Sequence, residues 1–285
     1  MILVTGAAGK TGRAVITALR ARGVAVRAFV GTSVSLAAAS TLGADETQVG
    51  DLRDAGAVRA AAADVAGIYH IAPNVHPDEV AIGQNIIGAA QTAGAARVVY
   101  HSVLHPAAEK MPHHWAKLRV EEALYESGLP YTILQPAPYM QNLLPSWPAI
   151  TRDGVFRVPY PTGTRLSLID LADLAEVAAR VLTETGHLGA TYELCGTAGL
   201  SQTEVAGVLS ERLITKVRAV AIRAGEWERQ ARANGLSDHA VTALLAMFEY
   251  YRKHGLSGNP NVLRWLLGRE PGTLAAFVDR TIRNA

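Results

Sequence analysis

Cysteine is almost missing from this chain: Cys195 stands alone among 285 residues, which excludes an internal disulfide framework. No basic leader or cleavage site precedes Ile2-Leu3-Val4-Thr5-Gly6, and the cytoplasm is the expected location. Long apolar runs are absent as well. The stretch 65–72 is interrupted by His70 and bounded by Asp64 and Pro73, far short of a membrane span. Neither sign of charge accumulates: 27 Lys and Arg face 25 Asp and Glu, a formal net charge of +2. The chain thus offers no electrostatic footprint for nucleic acid or an anionic membrane. His101, His105, His113 and His114 have no cysteine beside them and no metal-ligand spacing. Repeats and low-complexity linkers are also lacking, so no independent module is expected.

What remains is 49% hydrophobic sequence, enough for one large α/β domain or a nucleotide domain with a smaller appendage. Short β-branched runs alternate with alanine-rich stretches of helical period, the pattern of a parallel sheet wrapped by crossover helices. Strands are expected at 2–4, 24–30, 47–49, 68–71, 98–101 and 131–134. They are nearly all apolar, as strands covered on both faces must be. Helices are expected at 12–22, 79–93 and 112–127, each followed by a glycine (Gly23, Gly94, Gly128) that can end it in a left-handed turn. Beyond Gln135 the prolines at 136, 138, 145, 148, 159 and 161 break the pattern. A helix over 170–183, a strand over 191–194 and a helix opened by a Ser201/Glu204 capping box follow. The last stretch is mainly helical and carries an amphipathic segment over 238–253, with Trp227 before it and Trp265 after. The expected fold is α/β, a Rossmann-type doubly wound parallel sheet with a smaller, mainly helical C-terminal substrate-side region. Residues 1–135 form the nucleotide domain, with 165–195 returning to it, while 136–164 and 196–285 make the substrate side.

Gly6-Ala7-Ala8-Gly9-Lys10-Thr11-Gly12 lies between the first strand and the first helix, where backbone N–H groups and the helix dipole hold a pyrophosphate. Gly6 permits the tight turn, Gly9 admits the phosphates, and Gly12 lets helix and strand approach. Thr5, Gly6, Ala8, Gly9, Lys10, Thr11, Gly12 and Arg13 are therefore the expected cofactor contacts. NAD-preferring Rossmann domains place a carboxylate near the end of the second strand, yet residues 24–44 contain no acid. Thr32, Ser33 and Ser35 offer hydroxyls there, and Lys10, Arg13 and Arg27 lie in or near the region. NADP(H) is favoured, with NAD(H) as the alternative. Lys10 and Arg13 also oppose the helix dipole unless an anion is bound.

The opening Val4 to Gly12 run, Gly50-Asp51-Leu52, Ser102-Val103-Leu104-His105, Ser127 to Leu134, Pro138 to Asn142 and Asp170-Leu171-Ala172-Asp173 are distributed over nearly the whole chain. Together they resemble the NmrA-like atypical short-chain dehydrogenases/reductases, in particular the type 2 NAD(P)H:quinone oxidoreductase and triphenylmethane reductase branches. The resemblance implies that Asp51 and Leu52 flank the adenine and that Ala72, Pro73 and Asn74 run beside the nicotinamide ribose. It also exposes a departure, since relatives commonly carry a 2′-phosphate arginine at the position of Gly31.

Ordinary short-chain dehydrogenases use Tyr-x-x-x-Lys on a helix, whereas this frame reads His113-His114-Trp115-Ala116-Lys117. Lys117 either projects inward to a ribose hydroxyl or snorkels at the helix edge, paired with Glu121. His113 is either a proton donor or a surface histidine at a helix start. Ser102, at the carboxyl edge of the sheet, is either catalytic or the cap of a turn. His70 reads as a hydrogen-bonded core residue. Carbonyl reduction creates a basic alkoxide that needs an acid, but quinone reduction gives a delocalised phenolate that water can protonate. A small hydrophobic acceptor of the quinone type fits a frame without tyrosine. Tyr139, Met140, Asn142, Met247, Phe248 and Tyr251 are the expected substrate-side contacts, with core packing as the other reading for Met247 and Phe248. A non-catalytic NADP(H)-sensing regulator acting through a protein partner is the competing function. Self-association is left open, and the fold also admits an isomerase.

Overall fold

Strand β1 (Ile2–Val4) is buried along its whole length and flanked on both edges, by β2 (Val26–Val30) and β4 (Gly67–His70). In the computed structural model, which describes all residues except 32–40, 42 and 285, these strands belong to a seven-stranded parallel sheet. It also contains β3 (Glu46–Val49), β5 (Val98–His101), β6 (Tyr131–Pro136) and β9 (Ala190–Leu194), in the order β3-β2-β1-β4-β5-β6-β9. Strand order reverses between β1 and β4, and open α/β sheets bind ligands outside the carboxyl ends at such a point. The loops after β1 and β4 are therefore the places to look.

Crossover helices α1 (Lys10–Ala21), α2 (Ala55–Ala62), α3 (Glu79–Ala93) and α4 (Pro112–Glu126) connect these strands. Asp54 caps α2 by accepting the Gly56 and Ala57 N–H groups, and Gly94 ends α3 at φ +60°. The core joins Leu3, Phe29, Ile68, Ile86, Val98 and Ile133 to the inward faces of α3 and α4. Each such side chain contributes roughly 1.5–3 kcal/mol on burial. Helix α3 meets α4 closely: a Cβ at Gly83 would lie 2.6 Å from Val120 Cγ1.

The chain divides into two units, 1–107 with 113–135 and 174–192, and 108–112 with 136–173 and 193–285. Residues 165–173 and 193–195, expected in the first, fall in the second, as does the short segment 108–112. The proline-broken stretch contains a 3-10 helix (Met140–Ser146), α5 (Trp147–Asp153), β7 (Val155–Val158) and β8 (Arg165–Leu166). Helix α6 (Leu171–Thr183) then leads to β9. After β10 (Leu200–Ser201) come α7 (Gln202–Leu213), β11 (Arg218–Ala221), α8 (Ala224–Ala233), α9 (Asp238–His254), α10 (Asn261–Leu267) and α11 (Leu274–Arg283). Ser201 and Glu204 form the reciprocal capping box at α7. The second unit has its own core, in which Met140, Ile150, Phe156, Leu209 and Phe277 pack together.

Candidate active site

The loop after β1 has the geometry of an anion cradle. Gly6 sits at φ +58°, and a Cβ there would come within 2.9 Å of Ile71 Cγ2. Gly9 is the N-cap of α1, with no side-chain cap and no acid in the helix's first turn. Helices α3, α5, α8 and α10 also lack a side-chain cap, so what distinguishes α1 is the glycine loop that precedes its positive end. Arg13 donates from Nε to the Ala8 carbonyl at 2.8 Å, which braces the loop across its mouth.

Thr5 locks this loop to the one after β4. Its hydroxyl accepts the Ile71 N–H at 3.0 Å and lies 3.1 Å from the Ile71 carbonyl and 2.9 Å from His70 Nδ1. With one proton to give, it satisfies all three by donating to the carbonyl and accepting from His70 Nδ1–H. Nε2 of His70 is then a bare acceptor, and it is buried with no hydrogen-bond partner among the described residues. Ala72 is buried, while Pro73 and Asn74 lie exposed on the same loop. The next residue, Val75, is held at φ +50°, a strained conformation for a β-branched side chain.

Asp51 is exposed and paired with Arg53 at 2.6 Å, and that guanidinium holds its carboxyl at about 2. The Leu52 carbonyl accepts Asn85 Nδ2 at 2.9 Å. Arg27 is spent structurally, on Glu46 at 2.6 Å and on the carbonyls of Ala61 and Ala63. It therefore adds nothing to a 2′-phosphate site. Gly31 is exposed, and a Cβ at this position would meet nothing within 4 Å. Thr32 and Ser33 lie outside the described residues.

Lys117 pairs with an acid other than Glu121. Its Nζ lies 2.8 Å from Glu79 Oε1, with side-chain exposures of 14% and 3%. The same oxygen accepts the Tyr100 hydroxyl at 3.0 Å, and Nζ stands 5.6 Å from the Tyr100 ring centroid. Tyr100 stacks on His70, 5.7 Å between centroids. Burial foremost, then the neighbouring Glu79, pushes the Tyr100 hydroxyl well above its ordinary pKa. Burial holds His70, His101 and His114 at about 3, with Lys117 adding to the effect on each. They are neutral at pH 7.

His113 is half-buried and packs edge-on against His114, 4.6 Å between centroids. Ser102 lies inside the fold at the end of β5. It is 2% exposed, and its hydroxyl donates to the buried carboxylate of Glu121, which Gln135 also holds at 3.0 and 2.9 Å. Met140 is fully buried in the core of the second unit. There Tyr139 precedes the 3-10 helix half-buried and Asn142 is exposed. Met247 is half-buried. Phe248 packs on Trp227 at 4.7 Å and on Tyr160 at 6.0 Å, and Tyr251 meets Tyr160 at 5.8 Å. Tyr160 and Glu79 escaped the sequence reading, since neither sits in a local motif. A cavity of about 440 Å³ also opens in this unit, lined by Gln141, Trp147, Asp170, Phe277 and Arg280 among others. Asp170 there is already engaged by Gln141 and Arg280. Among the described residues no cluster of acids, histidines or cysteines could hold a metal ion, and no helix is long and apolar enough to cross a membrane.

The NmrA-like family model matches residues 1–282. The chain belongs to this family. It is 30% identical to an NAD(P)H azoreductase of Xenophilus azovorans over 279 residues, 97% of this chain and 96% of that protein. It is also 30% identical to quinone oxidoreductase 2 of Escherichia coli over 281 residues, 98% of each. The structure of NADPH-dependent quinone oxidoreductase QOR2 from Escherichia coli, complexed with NADPH, superimposes with a TM-score of 0.85 at 28% identity. That match covers 99% of this chain and 100% of the other.

Proposed function

We propose that this protein is an NAD(P)H-dependent oxidoreductase that prefers NADPH and passes hydride to quinones or similar conjugated acceptors. The observation that carries the acceptor class is that the buried titratable groups described around Lys117, His113 aside, do not readily give up a proton at pH 7. His70, His101 and His114 are neutral at pH 7, and the Tyr100 proton is held tightly. An acceptor whose reduced form water can protonate suits such surroundings. The named activities of the quinone oxidoreductase and azoreductase relatives support the same reading.

The residues present fit the nucleotide. The glycine cradle and uncapped α1 receive its phosphates, with Lys10 and Arg13 supplying positive charge. The region 24–44 has no carboxylate to repel a 2′-phosphate. Lys117 holds the nicotinamide ribose through donors that Glu79 leaves over. When bound, the reduced nicotinamide supplies the hydride. Fixing the ribose matters because a misplacement of about 1 Å costs on the order of a hundredfold in rate.

The test is NADPH and NADH oxidation against a panel of quinones, enones and azo and arylmethane dyes. NADPH should outperform NADH, and quinones should turn over. Lys117→Ala should lower kcat on the order of a hundredfold, and His113→Ala only modestly. Tight NADPH binding with no turnover of any acceptor would overturn the enzyme reading in favour of a nucleotide sensor.

A further inference from the structure

We propose that Glu79 is the positioning residue of this site, its carboxylate fixing where the Lys117 ammonium stands. The inference rests on the reading of Lys117 as the ribose-holding group. The sequence separates the pair by 38 positions, and helix packing brings them together. Gly83 and Val120 mark the close contact of α3 and α4. Glu79 lies one turn before Gly83, and Lys117 lies one turn before Val120. Side chains spaced three or four residues apart share a helix face, so this contact sets Glu79 opposite Lys117.

A carboxylate 3% exposed is costly unless it is paired. Glu79 has two partners on one oxygen, Lys117 and Tyr100, and it sits in the first turn of α3, where the helix dipole favours negative charge. Lys117 spends one of its three donors on Glu79. The Tyr100 ring holds the other side of the cation by a cation–π contact. Tyr100 rests on His70, and His70 bonds Thr5 at the root of the glycine loop. The chain of contacts Thr5, His70, Tyr100, Glu79, Lys117 thus ties the lysine to the loop that cradles the phosphates. The 14% of the Lys117 side chain that stays accessible leaves its remaining donors open to a ligand.

The test uses the full chain with Glu79→Asp, Glu79→Gln, Lys117→Ala and the Glu79→Gln/Lys117→Ala double variant. For each, the melting temperature without nucleotide, the NADPH Kd by calorimetry, and kcat and KM for one quinone are measured. Glu79→Asp keeps the charge and withdraws it by one methylene. It should melt near wild type, keep the quinone KM and lose about tenfold in kcat, while Glu79→Gln loses more. In the Lys117→Ala background, Glu79→Gln should cost nothing further in kcat or Kd, because the group it positions is gone. Additive losses, or a Glu79→Asp variant with wild-type kcat and Kd, would overturn the proposal. Should Glu79→Gln fail to fold, Glu79→Asp alone decides on the same criteria. Failure of the underlying reading looks different. If the wild type reduces no acceptor, the positioning role is judged on Kd alone, where Glu79→Asp and Lys117→Ala must each weaken NADPH binding. If Lys117→Ala leaves kcat and Kd unchanged, the lysine lies outside the site and the proposal falls with it.

Discussion

A Cβ at Gly12 would lie 2.4 Å from the Gly6 carbonyl oxygen and 2.7 Å from Ala7 Cα, whereas one at Gly9 would meet only the Gly6 oxygen, at 3.2 Å. Gly9 also has φ −72° and ψ 163°, which any L residue adopts. The two glycines therefore answer to different pressures, Gly12 to the packing of α1 on its own loop and Gly9 to whatever approaches from outside. Gly12→Ala should destabilise the protein by at least ~1–3 kcal/mol, since backbone must shift to admit the methyl group. Gly9→Val should melt within a few degrees of wild type and lose the thermal stabilisation that NADPH confers. Thermal melts of both variants with and without NADPH check this, and a Gly9→Val protein still stabilised to the wild-type extent would move the phosphate site elsewhere. This loop was legible in the sequence because its chemistry is contained in seven consecutive residues. The Lys117 partner was not, because nothing local distinguishes Glu79 from Glu121 as the acid that Lys117 meets. The choice is made by the contact of Gly83 with Val120 between two helices. The Ser102 partner was hidden for the same reason: its place at the end of β5 was readable, but the carboxylate that its hydroxyl meets arrives from α4.

Among the elements, those with their own punctuation were readable and those that depend on a distant partner were not. Helix α3 ends at the glycine that the sequence marks, with Gly94 in the left-handed conformation. Helix α7 opens on its capping box, the Glu204 N–H reaching Ser201 Oγ at 3.1 Å and the Ser201 N–H reaching Glu204 Oε2 at 2.7 Å. Strands expected at 24–30 and 68–71 form as Val26–Val30 and Gly67–His70, displaced only at their ends, where fraying makes boundaries soft. By contrast, β7 exists because β11 pairs with it in parallel, from Val155 opposite Arg218 to Val158 opposite Ala221. No property of either four-residue segment announces that partner. The two-residue strands β8 and β10 are defined in the same way, by each other. The capping box gives a measurable consequence at this scale. Ser201→Ala removes the side-chain acceptor for the Glu204 N–H and should lower stability by ~1 kcal/mol. Ser201→Asn, which can accept the same bond, should recover most of that loss in a denaturant titration. Equal losses in the two variants would show that the hydroxyl's contribution lies outside the cap.

For the molecule as a whole, the buried histidines set the response to acid. His70, His101 and His114 are held at about 3 by burial, reinforced by other nearby groups, while an unfolded histidine titrates near ~6.5. At pH 5 the unfolded chain therefore binds protons at these side chains and the folded protein does not. Unfolding takes up protons, so stability falls as pH drops below ~6.5 and keeps falling toward pH 3. Each histidine contributes at most ~1.4 kcal/mol per pH unit inside that window. Glu121 acts in the opposite sense. Burial raises its pKa above the ordinary carboxylate range against the pull of Ser102 and Gln135, so the folded state holds its proton more firmly, and its share of stability diminishes as pH rises. With three histidines against this one raised carboxylate, the net expectation is a melting temperature that declines from pH 7 to pH 5. His101 isolates the effect, because its Nδ1 contacts the Tyr69 hydroxyl at 2.6 Å and an asparagine can keep a polar group there without a titrating one. His101→Asn should be less stable than wild type at pH 7 and should show a shallower decline, by about one proton taken up on unfolding. Melting curves of both proteins at half-unit steps from pH 5 to pH 7.5, in the absence of nucleotide, measure that difference. A wild-type melting temperature that stays level or rises toward pH 5 would mean that these histidines are not kept neutral. The proposal that quinone-type acceptors suit this site would then lose the support it draws from neutral buried histidines.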